Sequence, residues 1–384
     1  MKKAGILTLY YKNYNFGGLL QAYALPKVLN DKFEIDAEQI RYSFYVEDKS
    51  IGKGENIHLK ENNIIYKIGI DFFTQMKKKK INTRKRIFEQ FMGEIPHCEE
   101  VYDFQTINEC LRKYQVLLCG GDQIWNACNG VHNLKVFTLK FAHGNIKKIA
   151  YAPSMAILEI DNKSKECIEQ GMKKLNAVSV REKKSIDILK TMTDKKIKIV
   201  VDPVLLLRTD EWNEEMKQPK IKNKYILCYL LNDNVMQRKA VRRIAKKLKL
   251  KIVTFPHILA NAVRKCDLFF GDIHDYTSGP REFIGLIKNA DFVITDSFHA
   301  CVFSMIFETP FVVFERNKAG EKGNMNSRIY DFLEEYHLEG QLVTEKELVD
   351  MKQIPKIDFT YAHEHWKKRR EESLEYLENA LKDK

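Results

Sequence analysis

No uncharged apolar run in the 384 residues reaches the length of about 18 that crosses a bilayer. The nearest, Phe292 to Phe307, carries Asp296 and His299, so no transmembrane helix is expected. Cys-x-x-Cys is absent, and none of the eight cysteines stands at a zinc-like spacing from histidine, which points to reduced thiols in the cytoplasm. Gly-x-Gly-x-x-Gly is missing too, which removes the dinucleotide fingerprint. The opening MKKAGILTLYY starts like a signal peptide, but its apolar stretch stops at Lys12 and runs into Asn13 and Asn15, which fits a buried first strand better. There is no fixed-period repeat.

What is present is ordinary globular composition, 44% hydrophobic and 30% charged, at a length that suits two domains. The net charge of +12 favours anionic partners. Seven of those cations sit in Lys77 to Arg86 (KKKKINTRKR). A solvated basic face accounts for this run, and peripheral docking to an anionic membrane is its functional reading. No nucleic-acid motif or stacking platform accompanies the charge, so no nucleic acid is expected. His363-x-His365 places two rings about 200° apart on a helix, so no metal site is expected there.

Short apolar runs alternating with amphipathic ones predict an α/β fold of βαβ units with parallel strands. Strands are expected at 4–9, 115–119, 149–152, 177–180 and 197–201, then at 225–231, 251–255, 292–295 and 311–314. Two Rossmann-like domains follow: 1–215, with a helical insertion at about 45–110, and 216–360. The polar stretch 208–224 reads as the linker, and 361–384 as a terminal helix that packs back, with Trp366, Leu374, Leu377 and Leu381 on one stripe.

Ligands of such sheets collect beyond the carboxyl ends of the strands. Gly17 and Gly18 precede the helix 19–30, where backbone amides can approach an anion; a tight turn explains them equally. Gly120-Gly121-Asp122-Gln123-Ile124-Trp125-Asn126 follows the strand VLLC and has ligand-binding composition. Arg181 ends SVRE before the helix 183–192 and can grip a carboxylate or phosphate bidentately, or pair with Glu182. After FVIT, Asp296 or Ser297 is expected to cap a helix that puts His299 in its first turn, where the helix dipole disfavours imidazolium and suits an acid or base near neutral pH. The loop 315–323 is polar, with glycines and cations, and can close over an anion.

Taken in order, YNFGGLLQAYAL (14–25), GGDQIWN (120–126), YAPS (151–154), SVRE (179–182), VVDPVLLL (200–207) and GPREFIGLIKNADFVITDSFHACVFSMIFETPFVVF (279–314) resemble the polysaccharide pyruvyl transferase family. The resemblance implies two domains facing a cleft, like the GT-B glycosyltransferases, with the last helix crossing back. It implies transfer of an enolpyruvyl-derived group from phosphoenolpyruvate to a saccharide or lipid-linked saccharide, as a pyruvate ketal, by a cytoplasmic enzyme without cofactor or metal. It places the catalytic His on His299 and the donor-anion Arg on Arg181, with Ser297, Phe298 and the helix start beside them. Some members carry Arg where this chain has Ser297, so either the missing cation comes from elsewhere, with Lys318 and Arg328 as candidates, or this branch binds a different donor. The acceptor side is expected at Gly17, Gly18, Gly120, Gly121, Asp122, Gln123 and Trp125. Two other readings share the architecture: a GT-B glycosyltransferase that holds a nucleotide-sugar through Arg281 or Glu282, and a non-catalytic carbohydrate-binding protein.

Overall fold

The computed structural model describes residues 1–45, 64–156, 160–221, 223–259, 262–317 and 326–382. Seven parallel strands form the first sheet: β1 (Lys3–Leu7), β2 (Asp36–Tyr42), β3 (His97–Tyr102), β4 (Val116–Gly120), β5 (Lys147–Tyr151), β6 (Ala177–Val180) and β7 (Ile197–Ile199), in the order 3-2-1-4-5-6-7. The second contains β8 (Tyr225–Tyr229) and β9 (Lys251–Thr254). After a short antiparallel pair, β10 (Ile258–Leu259) and β11 (Ala262–Val263), it adds β12 (Ile273–His274), β13 (Phe292–Thr295) and β14 (Phe311–Val313). Its order is 12-9-8-13-14, also parallel. Burial on both faces explains the unbroken apolar runs of β4, β8, β13 and β14.

The strand order turns back between β1 and β4 in the first sheet and between β8 and β13 in the second. At such switch points neighbouring crossovers diverge and leave a crevice. The loops after β1, β4 and β13, which carry three of the candidate motifs, therefore meet at crevices rather than along a packed sheet edge.

One continuous apolar cluster runs from the first sheet to the second. Phe16, at the start of the helix Phe16–Phe33, is its hub: it stacks on Phe283 at 4.7 Å and 8°, and touches Phe88 and Phe255 at 5.0 Å and Tyr229 at 5.7 Å. The terminal helix Thr360–Leu381 bridges both halves. Trp366 Nε1 donates to Leu205 O at 2.8 Å, Ser373 Oγ accepts from Val201 N at 3.0 Å, Tyr376 donates to Ala150 O at 2.9 Å, and His363 Nε2 meets Met305 O at 2.8 Å.

Three expectations need correction. The region 45–110 is not wholly helical: the helix Ile64–Glu94 is followed by β3, an edge strand of the first sheet. β2 escapes a pattern search because its sequence, DAEQIRY, looks polar; yet Gln39 is fully buried, donating from Nε2 to Ala22 O at 2.8 Å. The stretch 208–224 contains the helix Thr209–Glu215, anchored by a fully buried Trp212 that donates to Val204 O at 2.9 Å.

Candidate active site

β6 delivers Arg181 and the chain after β7 delivers Asp202, both nearly inaccessible. Arg181 pairs through Nη1 with the Asp202 carboxylate, and its Nε donates to Glu182 at 3.0 Å. The ring of Phe298 covers its guanidinium at 4.4 Å, a cation–π contact in a desolvated setting. At the same carboxylate oxygen, His299 Nε2 lies 3.7 Å from Asp202 Oδ2. Asp202 thus links the candidate anion anchor to the candidate acid or base. Burial opposes its charge, but Arg181 and then His299 overcome that and hold its carboxyl well below the ordinary range. Burial likewise opposes the Arg181 charge, and Glu182 and Asp202 reverse the sign, so its guanidinium is held more firmly protonated than usual.

The helix Phe298–Ile306 starts at the end of β13, as expected, but neither Asp296 nor Ser297 caps it through its side chain. The Asp296 carboxylate instead accepts from Leu231 N at 2.7 Å and Asn232 N at 2.8 Å, tying β13 to the loop after β8. Ser297 donates its backbone N–H to Thr295 Oγ1 at 3.0 Å. No side-chain cap therefore competes for the first amides of this helix.

Two further arginines close on this cluster. Arg328 enters from the first turn of the helix Ser327–Glu335, and Arg316 from the loop after β14. Arg316 Nη2 donates to Asp296 O at 2.9 Å. With the Gln123 amide turned oxygen-first, Arg328 donates to it from Nη1 and Nη2 at 3.0 and 2.9 Å. Burial and then the like charges of Arg181 and Arg316 push the Arg328 guanidinium down to about 9; Asp122 counters only part of this. Buried nitrogens remain without a hydrogen-bond acceptor among the described residues: Nε of Arg316, Nε of Arg328, Nη2 of Arg181 and Nε2 of His299. Arg181 Nη2 lies 2.9 Å from Glu182 Oε1 but out of line for a hydrogen bond. Unmet buried N–H groups beside mutually repelling cations are surroundings that an anion would complete.

The glycine loops pack directly against these groups. A Cβ on Gly17 would stand 2.1 Å from His299 Nδ1, and one on Gly18 would be 3.3 Å from Asp122 Oδ2. Gly120 ends β4 against Tyr151 O, and Gly121 has φ +71°, a left-handed conformation that only glycine adopts cheaply, with Gln21 Oε1 where a Cβ would be. Gly17→Ala is expected to displace the imidazole and destabilise the fold by about 1–3 kcal/mol, the usual cost of overpacking. Denaturant unfolding, read beside the His299 ring resonances in NMR spectra, checks both effects.

Of the residues singled out in the sequence, Gly17, Gly18, Asp122, Gln123, Arg181, Phe298, His299 and Arg328 come together. Trp125 does not join them: it is fully buried in the first half's second apolar cluster and donates to Phe137 O at 3.0 Å, so its indole is structural. Lys318 lies outside the described residues. Arg281 and Glu282 are engaged elsewhere. Arg281 binds Glu215 at 2.9 Å and also Glu94, while Glu282 accepts from Gly279 N at 2.9 Å and pairs with Lys217 at 3.2 Å. Sequence reasoning missed Asp202 and had Arg316 only as one cation of the loop 315–323. Their signal was placement, directly beyond β7 in VVDP and directly beyond β14 in FVVFER.

A cavity of about 840 Å³ opens beside Arg181, Asp202, Phe298 and Arg328, between β7, the helix Ser327–Glu335 and the terminal helix. Its outer wall mixes charges: Arg369 pairs with Glu335 and with Glu372, and Lys183, Lys198, Glu334 and Glu375 also line it, whereas the glycine loops do not.

Facing parallel sheets with a returning terminal helix and a site between them define a GT-B-like enzyme fold. The chain is similar to UDP-N-acetylglucosamine 2-epimerase of Rickettsia bellii (TM-score 0.56, 10% identity, 98% of this chain and 96% of that one). It is also similar to the Methanocaldococcus jannaschii UDP-GlcNAc 2-epimerase in complex with UDP-GlcNAc and UDP (0.52, 14%, 95% and 98%). A third likeness is to a mutant of S. aureus TarM in complex with fondaparinux, alpha-GlcNAc-glycerol and UDP (0.53, 13%, 100% and 100%). No curated protein matches the sequence. The profile of the polysaccharide pyruvyl transferase family matches residues 15–318, and the chain belongs to that family of transferases.

Proposed function

We propose that this protein transfers an enolpyruvyl-derived group from phosphoenolpyruvate to a saccharide, or a lipid-linked saccharide, of a surface polysaccharide pathway, leaving a pyruvate ketal. The observation that carries the reading is the set of unmet, buried guanidinium nitrogens of Arg181, Arg316 and Arg328 around His299. Phosphoenolpyruvate brings a carboxylate and a phosphate, the two anions that such a cluster would neutralise. Arg316 fills the need for a cation left by Ser297.

In this reading His299, steadied by Asp202, gives a proton to the methylene carbon, and the neighbouring carbon becomes oxocarbenium-like. One sugar hydroxyl bonds to that carbon and returns its proton to the imidazole. A second hydroxyl then closes the ketal as the C–O bond to phosphate breaks, its proton leaving with the phosphate. The cavity beside Arg181 is the space for the acceptor, and its wall of paired carboxylates and cations offers hydrogen-bonding partners to a hydroxyl-rich one. The eight unpaired cysteines fit a reducing cytoplasm. Contact with an anionic membrane would bring a lipid-linked acceptor within reach.

Calorimetric titration with phosphoenolpyruvate, against UDP-, GDP- and CMP-sugars, tests the donor. Saturable binding of phosphoenolpyruvate is expected. His299→Asn should keep that binding while acceptor-dependent phosphate release falls about 10²–10⁴-fold, the scale of a lost acid–base group. Binding of a nucleotide-sugar with no response to phosphoenolpyruvate would replace this reading with glycosyl transfer. A biological role unchanged in His299→Ala would replace it with a binding function.

A further inference from the structure

The basic run does two different things on its two sides. The helix Ile64–Glu94 carries it past the second sheet. On the inner side, Ile81 packs with Val263, Leu268 and Tyr276. Arg84 donates to Pro256 O at 3.0 Å and also to Asp275 O, and its guanidinium lies over the Tyr276 ring. One turn on, Phe88 is buried against Phe16, the residue before Gly17. Arg84 is therefore an internal tie between the helix and the second half, and not part of a solvated face.

On the outer side Lys78, Lys79, Lys80, Lys85 and Arg86 are exposed, next to Met76, which is 63% exposed. Residues seven apart in a helix differ by about 20° in direction, so Lys78 and Lys85 form one row and Lys79 and Arg86 the row beside it. The Lys85–Glu89 contact, at 3.9 Å, offsets one of these charges in part. The inner contacts hold this face rigidly, and through Phe88 and Phe16 it is tied to the lip of the site.

We infer that this outward face docks the protein on an anionic bilayer. Polybasic segments at such a surface gain affinity with each Lys or Arg, and an exposed methionine beside them can enter the head-group region. The docking stands on the helix alone; only its use, presenting a lipid-linked acceptor to the cleft, rests on the function proposed above. A nucleic acid fits less well, because no aromatic residue stands among the cations of 77–86 to stack on bases.

Co-sedimentation of the full chain with vesicles of phosphatidylcholine, alone or mixed with phosphatidylglycerol, tests the inference. The protein should pellet with the mixed vesicles only, and less so as salt is raised. Joint replacement Lys78→Gln, Lys79→Gln, Lys80→Gln, Lys85→Gln and Arg86→Gln should weaken binding by at least about tenfold, given the gain per cation. Replacing the exposed Arg243, Lys246 and Lys249 of the helix Val235–Leu248 and its C-cap by Gln should leave it unchanged. The inference is overturned by no binding to the mixed vesicles, by equal binding to phosphatidylcholine, or by binding indifferent to the five substitutions. It is also overturned if a single-stranded oligonucleotide binds this face more tightly than the vesicles do. Phosphoenolpyruvate titration of the five-fold variant separates the two proposals: failure there bears on the donor, and failure to pellet bears on the membrane.

Discussion

Arg181→Ala is expected to lower the stability of the protein by about 3–5 kcal/mol, the usual loss when one member of a buried ion pair is removed. That is a large share of the roughly 5–15 kcal/mol by which folded proteins exceed their unfolded state. The cause is Asp202, 1% exposed, which would lose its guanidinium partner and keep Val204 N, donating at 3.1 Å, and the His299 ring, 3.7 Å away. The pH dependence gives an independent signature. In the wild type the folded-state carboxyl is held below its unfolded value, so its pairing stabilises fully above the ordinary carboxylate range. That stability is lost as pH falls through the lower, folded value. In the variant, burial dominates and the folded value rises above the unfolded one, so acid favours the folded form of this site. The stability gap between the two proteins should therefore narrow as pH falls from neutrality through the carboxylate range, as measured by urea unfolding at several pH values. A gap that is constant or widens would show that Asp202 is not the group left uncompensated. Arg181→Lys should restore part of the stability and little of the phosphoenolpyruvate binding, because ammonium supplies charge without the planar fork.

Arg328→Met should act in the opposite direction on the empty protein. The folded-state guanidinium is pushed down to about 9, by burial first and then by Arg181 and Arg316. A cation held below its unfolded value costs stability wherever it is charged in both states, which includes neutral pH, and the cost fades as pH rises through about 9. Replacing it with an apolar side chain of similar length should raise the melting temperature, by analogy with buried ion pairs whose apolar replacements gain about 1–4 kcal/mol. The gain is offset in part by the lost hydrogen bonds to Gln123. Wild-type protein should be stabilised by phosphoenolpyruvate, by about 2.7 kcal/mol at a hundredfold excess over Kd. The variant should lose most of that shift. A variant that melts lower than wild type and keeps the full ligand shift would remove Arg328 from the anion site. The expected pair of results would mark Arg328 as a residue that trades stability for affinity, as functional positions commonly do.

The parts of this molecule legible without a structure are those governed by local pattern. β4, β8, β13 and β14 announce themselves as apolar runs because strands covered on both faces need no polar alternation. The loops that follow them stand out because glycine, carboxylate and amide residues there have no use in a covered sheet. β2 was hidden because Gln39 is satisfied by Ala22 O, a partner that a hydropathy pattern does not contain. Trp125 misled for the converse reason. Its composition among Gly121, Asp122 and Gln123 looks ligand-binding, but its indole N–H is met by Phe137 O and its ring belongs to the core.

From its own sequence the protein determined the alternation of strand and helix, the strand-end positions of Arg181 and His299, and the concentration of charge at 77–86. Tertiary structure alone decided that Asp202 stands between Arg181 and His299, that Arg316 and Arg328 converge on them with nitrogens unmet, and that Arg84 turns inward while Lys78, Lys79, Lys85 and Arg86 turn out. The physical reason is the same in each case. These contacts join residues from tens to well over a hundred positions apart, and strand order and crossover packing set their distances. Local propensity acts only over a few residues, so it carries no record of them.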